Sequence, residues 1–472
     1  MKKFTRNLIL TILIITLTVS FTAFSACKKK ETYTVTFDLN GGEGTIDAVE
    51  NVSYNSLIDE PESPTRFGYT FDGWYSDARL TNHWYFDKNK VQSNLTLYAK
   101  WTYAPTESLL YKAVNDVSYS VVGLGTVTSK QIIIPDRYEG LPVVGIEDRA
   151  FQNKSITDVY IPDSVTSIGV NAFDRCSSLK NVTLSANLTS IPDYAFNECT
   201  ALENIRIPSG VTSIGIRAFY DCKALSNVTL PSNLTEICET AFSGCIAFTS
   251  VTIPSKVAKI GVCAFSGCVA LEEMKVAQGN SKYRSEGNCI IEYSNLGNVV
   301  VAGCKTSEIP STATAIGEGA FKGCRSKSSV NIPYGITSIG ESAFEGCAAL
   351  TIVILPGSVK ELGAYAFSSC DYLETVEFRD IDSSELESIG KEAFSHCVFL
   401  QSFVIPKSVE RIGVGAFFNC GSVLISYRGT QKEFENVQIV YDDEPNSYST
   451  VTIWFASENT SGWVQSLGGK RN

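Results

Sequence analysis

Residues 179–199 read LKNVTLSANLTSIPDYAFNEC, and residues 202–222 repeat the pattern as LENIRIPSGVTSIGIRAFYDC. Each copy has an alternating apolar run, a second apolar pair, and then Ala-Phe followed by a cysteine. Ala-Phe pairs begin at Ala150, Ala172, Ala195, Ala218, Ala241, Ala264, Ala320, Ala343, Ala366, Ala393 and Ala416, and most successive pairs are 23 residues apart. A fixed period of this size indicates a solenoid in which each repeat forms one coil.

Within a repeat, Leu179-x-x-Val182-x-Leu184 alternates apolar and polar residues, which predicts a short strand with one face inward. Proline follows the strand in several copies and ends it, because proline cannot donate to a ladder; these are Pro208, Pro254, Pro333, Pro356 and Pro406. A glycine follows the second apolar pair at Gly169, Gly215, Gly261, Gly340, Gly390 and Gly413, and we expect it to permit a turn with φ > 0.

One coil cannot bury its own apolar face, whereas stacked coils bury a continuous core. The phenylalanine of each Ala-Phe pair is expected to be the largest core side chain. The fold class is therefore mainly β, a solenoid of about 11 repeats of 23 residues that begins after a smaller N-terminal domain.

The motifs Leu-x-x-Val-x-Ile-Pro, Val-Thr-Ser-Ile-Gly and Ala-Phe-x-x-Cys, as in residues 202–222, resemble the BspA-like (Treponema pallidum-type) leucine-rich repeat family. The resemblance covers about residues 107–455. It implies a leucine-rich-repeat solenoid and surface proteins that bind other proteins or cells. We expect an N-terminal cap at 103–148, repeats at 149–422, and a C-terminal cap and tail at 423–472.

The first residues have the layout of a secretory signal, with Lys2, Lys3 and Arg6 before an apolar run from Leu8 to Phe21. Small residues then precede Cys27, which resembles the bacterial lipoprotein processing site. The resemblance implies a lipoprotein signal peptide at 1–26, lipidation of the Cys27 thiol, and a polar tether at 27–32. The expected location is the outer face of the bacterial envelope, anchored to the membrane by lipid. An ordinary signal peptide, which would give a secreted protein, is the alternative.

The sequence predicts a separate small domain at residues 33–102. The opening Thr-Phe-x-x-Asn-Gly-Gly, the central Gly-Tyr-x-Phe-x-Gly-Trp-Tyr and the final Leu-Tyr-Ala-Lys-Trp resemble the Listeria–Bacteroides repeat, also known as the internalin B-repeat. That resemblance implies a β-grasp-like module that acts as a spacer or contact module. Trp74, Trp84 and Trp101 are expected in its core, because so small a domain has few other large residues. A sugar-binding platform is the less favoured interpretation.

The spacing from Ala264 to Ala320 exceeds two periods. One modified repeat with a protruding hairpin, inserted near 278–305, accounts for it. Its strands are predicted at Cys289–Ile291 and Val299–Ala302. A smaller bulging loop is predicted from Asp380 to Glu385.

Ten cysteines recur once per coil, at Cys176, Cys199, Cys222, Cys245, Cys268, Cys324, Cys347, Cys370, Cys397 and Cys420. We expect free buried thiols, because parallel stacked side chains suit the torsion of a disulfide poorly. A metal site would need Cys-x-x-Cys or nearby histidines. No Cys-x-x-Cys occurs, and His396 is the one histidine beside a ladder cysteine, where we expect it to be a turn residue. No cofactor is predicted.

The formal net charge is −11, which disfavours a nucleic-acid partner. The chain has two histidines, His83 and His396, and neither has a distinctive catalytic context. No phosphate-binding loop motif is present. The sequence therefore predicts a non-enzymatic protein.

A partner is expected on the outward face of the strands. The candidate binding residues are Asn204, Arg206, Asn227, Thr229, Thr252, Asn331, Ile352, Ile354 and Glu377. The hairpin between Tyr283 and Tyr293 is a rival site, since loops often carry specificity. The predicted function is a cell-surface lipoprotein that binds proteins or glycans of host or neighbouring cells. The alternative is a structural envelope or spacer protein without a soluble ligand.

Overall fold

A computed structural model of the chain describes residues 32–439, 451–455 and 460–464. The expected signal peptide and the lipidation candidate Cys27 lie outside these residues. The chain divides into two compact units, the first ending at Pro105 and the second beginning at Thr106. Among the residues that the structure describes, no helix has the length and hydropathy needed to cross a membrane.

The first unit is built on a four-stranded sheet in the order β2-β1-β4-β3. The strands are β1 (Thr32–Asp38), β2 (Val49–Ser53), β3 (Tyr69–Tyr75) and β4 (Leu95–Tyr103). β1 and β4 are parallel, and the other pairs are antiparallel. Trp74 and Trp84 are 1% and 7% exposed, and the Trp101 indole donates to the Leu39 carbonyl. The tryptophans are thus structural, as predicted, and Trp74 and Trp84 cannot serve as an exposed platform.

The second unit is a β-solenoid, which confirms the predicted fold class. One side, which we call the long-strand row, contains the strand that opens each repeat. Its strands are Gln131–Ile133, Asp158–Tyr160, Asn181–Thr183, Asn204–Arg206, Asn227–Thr229, Ser250–Ile253, Glu273–Val276, Ser329–Asn331, Ile352–Leu355, Thr375–Phe378, Ser402–Ile405, Leu424–Tyr427 and Val451–Phe455. Each pairing between neighbouring coils in this row is parallel, so equivalent residues lie side by side.

The second apolar pair of each repeat forms a second set of parallel strands, the short-strand row. Its two-residue strands are Ser167–Ile168, Ser190–Ile191, Ser213–Ile214, Glu236–Ile237, Lys259–Ile260, Ala315–Ile316, Ser338–Ile339, Glu361–Leu362, Ser388–Ile389, Arg411–Ile412 and Gln438–Ile439. The two rows and the turns that join them enclose the core.

The ends of the solenoid depart from the repeat. Leu110–Asn115, Ser118–Gly123, Arg137–Tyr138 and Leu141–Ile146 begin it, and Thr460–Val464 pairs antiparallel with Val451–Phe455 at the other end. The described helices are a 3₁₀ turn at Ile381–Ser383 and the four-residue α-helix Gln431–Phe434. Thr430 and Glu433 form a reciprocal capping box at the start of that α-helix.

The phenylalanines of the Ala-Phe pairs stack along the core. From Phe151 to Phe265, neighbouring ring centroids are between 5.1 and 5.7 Å apart and the rings are nearly parallel. A second run extends from Phe321 to Phe417 with spacings between 5.0 and 5.6 Å. In the irregular coil between the runs, Gly303 takes the place of the phenylalanine. Its amide donates to the Ala320 carbonyl, just as the Phe242 amide donates to the Ala264 carbonyl.

The segment inserted near 278–305 forms a hairpin, but the hairpin does not protrude as predicted. Cys289–Ser294 pairs antiparallel with Gly297–Ala302, which continues parallel into the short-strand row. Ile290 and Ile291 are fully buried, whereas Leu296 at the tip is fully exposed. The hairpin is therefore part of the solenoid wall, because its apolar residues replace core residues that the missing repeat would supply.

The glycine after the second apolar pair has a different role from the one predicted, because none of the six has a positive φ. A Cβ on Gly215 would lie 2.5 Å from the Asp193 nitrogen, and one on Gly413 would lie 2.3 Å from the Lys391 nitrogen. The left-handed residue comes two positions later, as at Arg217 with φ 51°. At Gly215 and Gly413 the backbone of the preceding coil lies too close for a side chain, whereas Pro192 and Cys238 occupy the equivalent position in other coils.

The repeated cysteines form a ladder of free thiols, and all fourteen cysteines in the described part of the chain are free. Each repeat thiol donates to a carbonyl in the preceding coil, so Cys199 donates to Phe173 and Cys222 to Phe196, both at 3.1 Å. Burial raises the pKa of the Cys268 and Cys347 thiols to about 12. The cysteine therefore acts as a compact buried donor that ties two coils together.

Replacing Phe219 by alanine should lower the free energy of unfolding by about 3–5 kcal/mol, because the ring is fully buried between two others. Urea denaturation of the full-length protein measures the change. Phe399→Ala is the matched control, since this ring is 54% exposed and should cost about 1 kcal/mol or less. Equal losses for the two variants would show that the stacked rings contribute no special stability.

Because burial raises the pKa of the repeat thiols, the folded protein should lose stability in alkali. A thiol with an ordinary pKa of 9.0 ionises in the unfolded chain, whereas Cys347 keeps its proton until pH about 12 when folded. The contribution of such a thiol to the free energy of unfolding is fully present below pH 9. Above pH 9 it falls by about 1.4 kcal/mol per pH unit. Urea unfolding at pH 7 and pH 10 should show this loss, and Cys347→Ala should show a smaller one. The same loss in wild type and variant would contradict the assignment.

Candidate functional site on the long-strand row

Most of the predicted binding residues lie exposed on the long-strand row. Those exposed are Asn204, Arg206, Asn227, Thr229, Thr252, Asn331 and Glu377, whereas Ile352 and Ile354 are half-buried. Alternation explains the outcome, since each exposed residue flanks a buried one such as Ile205 or Val228. Parallel register places Asn181, Asn204 and Asn227 side by side in three successive coils.

The amides at the start of this row differ in their hydrogen bonding. Asn181 Nδ2 donates to Asp158 Oδ1 at 2.8 Å, and Gln131 Nε2 donates to Asp158 Oδ2 at 3.3 Å. The Asn227 side chain accepts from Thr249 Oγ1 at 3.4 Å. Within the described residues, the Asn204 side chain has no hydrogen-bond partner, so both its donor and its acceptor are open to a ligand.

Beside these amides, a groove of about 710 Å³ crosses three coils at the end of their strands. Its lining consists of Val182, Thr183, Leu184, Ala186, Arg206, Ile207, Pro208, Ser209, Thr229 and Pro231. Arg206 belongs to the middle coil, and Thr229 is its register partner in the next one. Strand alternation identified the arginine, but the groove depends on the path of the turns after the strands and was not predicted.

The second half of the row is more apolar and is partly covered. The Arg379 guanidinium donates to the Asn331 side chain two coils away, and thus crosses the coil that carries Ile354. Arg379 was not among the predicted site residues, because it lies one position after its strand. The apolar spot expected at Ile352 and Ile354 is consequently smaller than the sequence suggests.

Other apolar side chains in this half are more exposed than the two isoleucines. Leu424 and Trp454 are 62% and 40% exposed on the long-strand row. Tyr372 and Phe399 precede their strands and stack with their ring centroids 5.4 Å apart. They were missed because the turn before the strand has no fixed alternation.

Neither tyrosine that bounds the rival site at the hairpin is fully exposed. Tyr283 is 1% exposed, and its hydroxyl accepts a hydrogen bond from the Ile260 amide at 3.0 Å. The Arg284 guanidinium lies 4.5 Å from the centre of the Tyr293 ring. Tyr283 is thus part of the core, and Tyr293 packs against the Arg284 side chain.

The two histidines occupy structural positions. The His83 ring packs against Tyr75 and Tyr85, with centroids 5.0 and 4.3 Å apart. His396 has a φ of 61° in the turn before Cys397, and Asn419 lies 3.0 Å from its Nδ1. Across the described residues, no cluster of histidine, cysteine or acidic side chains could hold a metal ion. Around the groove, the chemistry available is hydrogen bonding together with the Arg206 guanidinium.

Comparison with known proteins agrees with both units of the fold. The BspA type Leucine rich repeat region matches residues 144–272 and 294–423 in six copies. The Listeria-Bacteroides repeat domain matches residues 33–100.

Curated relatives match only a short stretch. Internalin H of Listeria monocytogenes is 44% identical over 71 residues, which are 15% of this chain and 12% of that protein. A putative membrane protein of Evansella cellulosilytica is 44% identical over 69 residues, which are 15% of this chain and 10% of the relative. The chain thus spans about a tenth of the length of these relatives.

Solved structures match much more of the chain. A leucine rich cell surface protein from Faecalibacterium prausnitzii is 29% identical, with a TM-score of 0.52 over 72% of this chain and 98% of the other. The pneumococcal vaccine antigen PcpA is 19% identical, with a TM-score of 0.54 over 69% of this chain and 81% of the other, and shows the fold alone. Because the repeat family covers more than half of the residues, this chain belongs to the BspA-type leucine-rich repeat proteins, with a Listeria-Bacteroides repeat domain ahead of the repeats.

Proposed function

We propose that this protein is a lipid-anchored bacterial surface protein whose solenoid binds proteins or glycans on host or neighbouring cells. The observation that carries the proposal is the long-strand row, where amides, hydroxyls and one guanidinium stand exposed at a fixed spacing. Solenoids offer such extended surfaces for binding.

The row suits recognition because its backbone is already rigid. Strands such as Asn204–Arg206 are paired on both sides, so the side chains they present are held in place before a ligand arrives. A ligand then loses less affinity to the cost of ordering the site. The exposed groups are mostly uncharged, so salt should weaken their binding little.

The surface location is supported by similar proteins. The Faecalibacterium prausnitzii structure is that of a leucine rich cell surface protein, and internalin H is a curated relative. The position of Cys27 after an apolar run supports attachment by lipid. Lipid attachment would leave the long-strand row outside the cell, where it can meet a partner.

A structural spacer without a soluble ligand is the second candidate. It is favoured by the exposed apolar side chains Leu424, Trp454, Tyr372 and Phe399. Exposed apolar residues that cluster often mark contacts between proteins. Such contacts would join neighbouring copies and need no ligand.

Cys27→Ala should abolish lipid labelling and membrane retention, because the thiol is the proposed attachment point. The full-length protein is expressed in a lipoprotein-processing bacterium and labelled with a fatty-acid probe. Cys238→Ala, which alters a half-buried solenoid thiol, is the control and should keep both label and retention. A labelled Cys27→Ala protein, or an unlabelled wild type, would overturn the anchor.

The double variant Asn204→Ala with Asn227→Ala should weaken binding of the full-length protein to target cells by about tenfold, since each lost hydrogen bond contributes about 0.5–1.5 kcal/mol. Ser190→Ala with Ser213→Ala is the matched control, because these residues pair on the short-strand row. Its binding should equal that of wild type. Unchanged binding of the Asn204→Ala/Asn227→Ala variant would place the contact elsewhere. A wild-type protein that binds no cell would favour the structural spacer.

A further inference from the structure

We propose that the groove around Arg206 binds a glycan through the carboxylate of an acidic sugar. This inference rests on the proposed function only in taking the long-strand row as the binding surface, and it adds the class of ligand. Three features of the groove carry it, namely its charge, its lining and the pairing of its strands.

The charge of the groove comes from a guanidinium that forms no ion pair with any acidic group in the described part of the chain. Within the described residues, Arg206 has no ion-pair partner, and Thr183 and Thr229 hold the same strand position in the coils on either side. Lys275, on the same row, is by contrast held by Glu273 at 2.5 Å. An exposed arginine without an ion-pair partner can pair with an anion.

Two carboxylates of the coil before Asn181–Thr183 accept hydrogen bonds from other groups. Asp163 lies one coil before Ala186 at the groove, and its carboxylate accepts a hydrogen bond from the Ala186 amide at 2.7 Å. The Asp158 carboxylate is held by Asn181 and Gln131. Neither carboxylate forms an ion pair with Arg206 in the described structure. The guanidinium can therefore bind a carboxylate from outside through two parallel hydrogen bonds.

The lining suits a sugar ring. The volume of about 710 Å³ falls within the range of small-molecule sites. Hydroxyls come from Thr183, Ser209 and Thr229, whereas Pro208 and Pro231 supply apolar surface. A pyranose has hydroxyls at its edge and carbon-bound hydrogens on its faces, so both kinds of surface find a counterpart.

The pairing of the strands argues against an extended peptide. The central strand Asn204–Arg206 is bonded to Asn181–Thr183 on one side and Asn227–Thr229 on the other. Peptides that dock on sheets commonly add as a new strand at a free edge, and this central strand has none. Recognition here must use side chains, and the exposed amide of Asn204 beside the groove extends the hydrogen bonds that sugar hydroxyls can make.

The test measures binding of an oligogalacturonate and of its methyl ester to the full-length protein by titration calorimetry. The acid should bind at least about tenfold more tightly than the ester, because only the acid carries the charge that Arg206 pairs with. Arg206→Gln should remove this preference, and Arg206→Lys should keep part of it. Arg411→Gln, which alters an exposed arginine on the short-strand row, should leave it unchanged.

Equal affinity for acid and ester, or a preference that survives Arg206→Gln, would overturn the proposal. So would tighter binding of a poly-glutamate peptide than of the oligogalacturonate, since a peptide would then be the better ligand. The result is separable from that of the cell-binding assay. If cells bind and Arg206→Gln has no effect on either assay, the groove inference fails while the proposed function stands.

Discussion

The close and constant spacing of the coils is the constraint on which the rest of the solenoid depends. Parallel strands lie about 4.8 Å apart, and each coil must fit its neighbour at that distance. The phenylalanine rings meet the condition by stacking nearly parallel. The glycines meet it by omitting a side chain where backbones touch, and the cysteines by donating to a carbonyl one coil away. The exposed amides of the long-strand row inherit the same spacing.

The binding surface and the core are thus two sides of one repeat. Val182 and its equivalents point inward and lock the register, whereas Asn181 and Thr183 point outward in the same register. Because the inward residues vary little in kind, the outward residues can differ from coil to coil without disturbing the fold. This freedom explains how one half of the row presents amides and a guanidinium while the other presents Leu424 and Trp454.

Local pattern was enough to predict the solenoid, the free thiols and the buried tryptophans, because each depends on residues close in sequence or on a simple period. The function of Gly215 was misread because a close backbone approach between coils leaves no mark within one repeat. The hairpin near Ile290 was expected outside the wall, since apolar residues in an insertion do not reveal which sheet they join. The groove depends on the path of the turns after the strands, and the contact of Arg379 with Asn331 depends on a long side chain. The sequence period describes neither.

Gly303 has a consequence for how the molecule would respond to mechanical tension. The aromatic stack stops at this coil and resumes at Phe321, so the buried residues form two clusters rather than one. In a solenoid, stability is the sum of coil and interface contributions, and the interface at Gly303 lacks the contribution of stacked rings. If this interface separates first when the two ends of the solenoid are pulled apart, the solenoid extends in two stages. The coils around one core cluster could unfold under force while the coils around the other stayed folded.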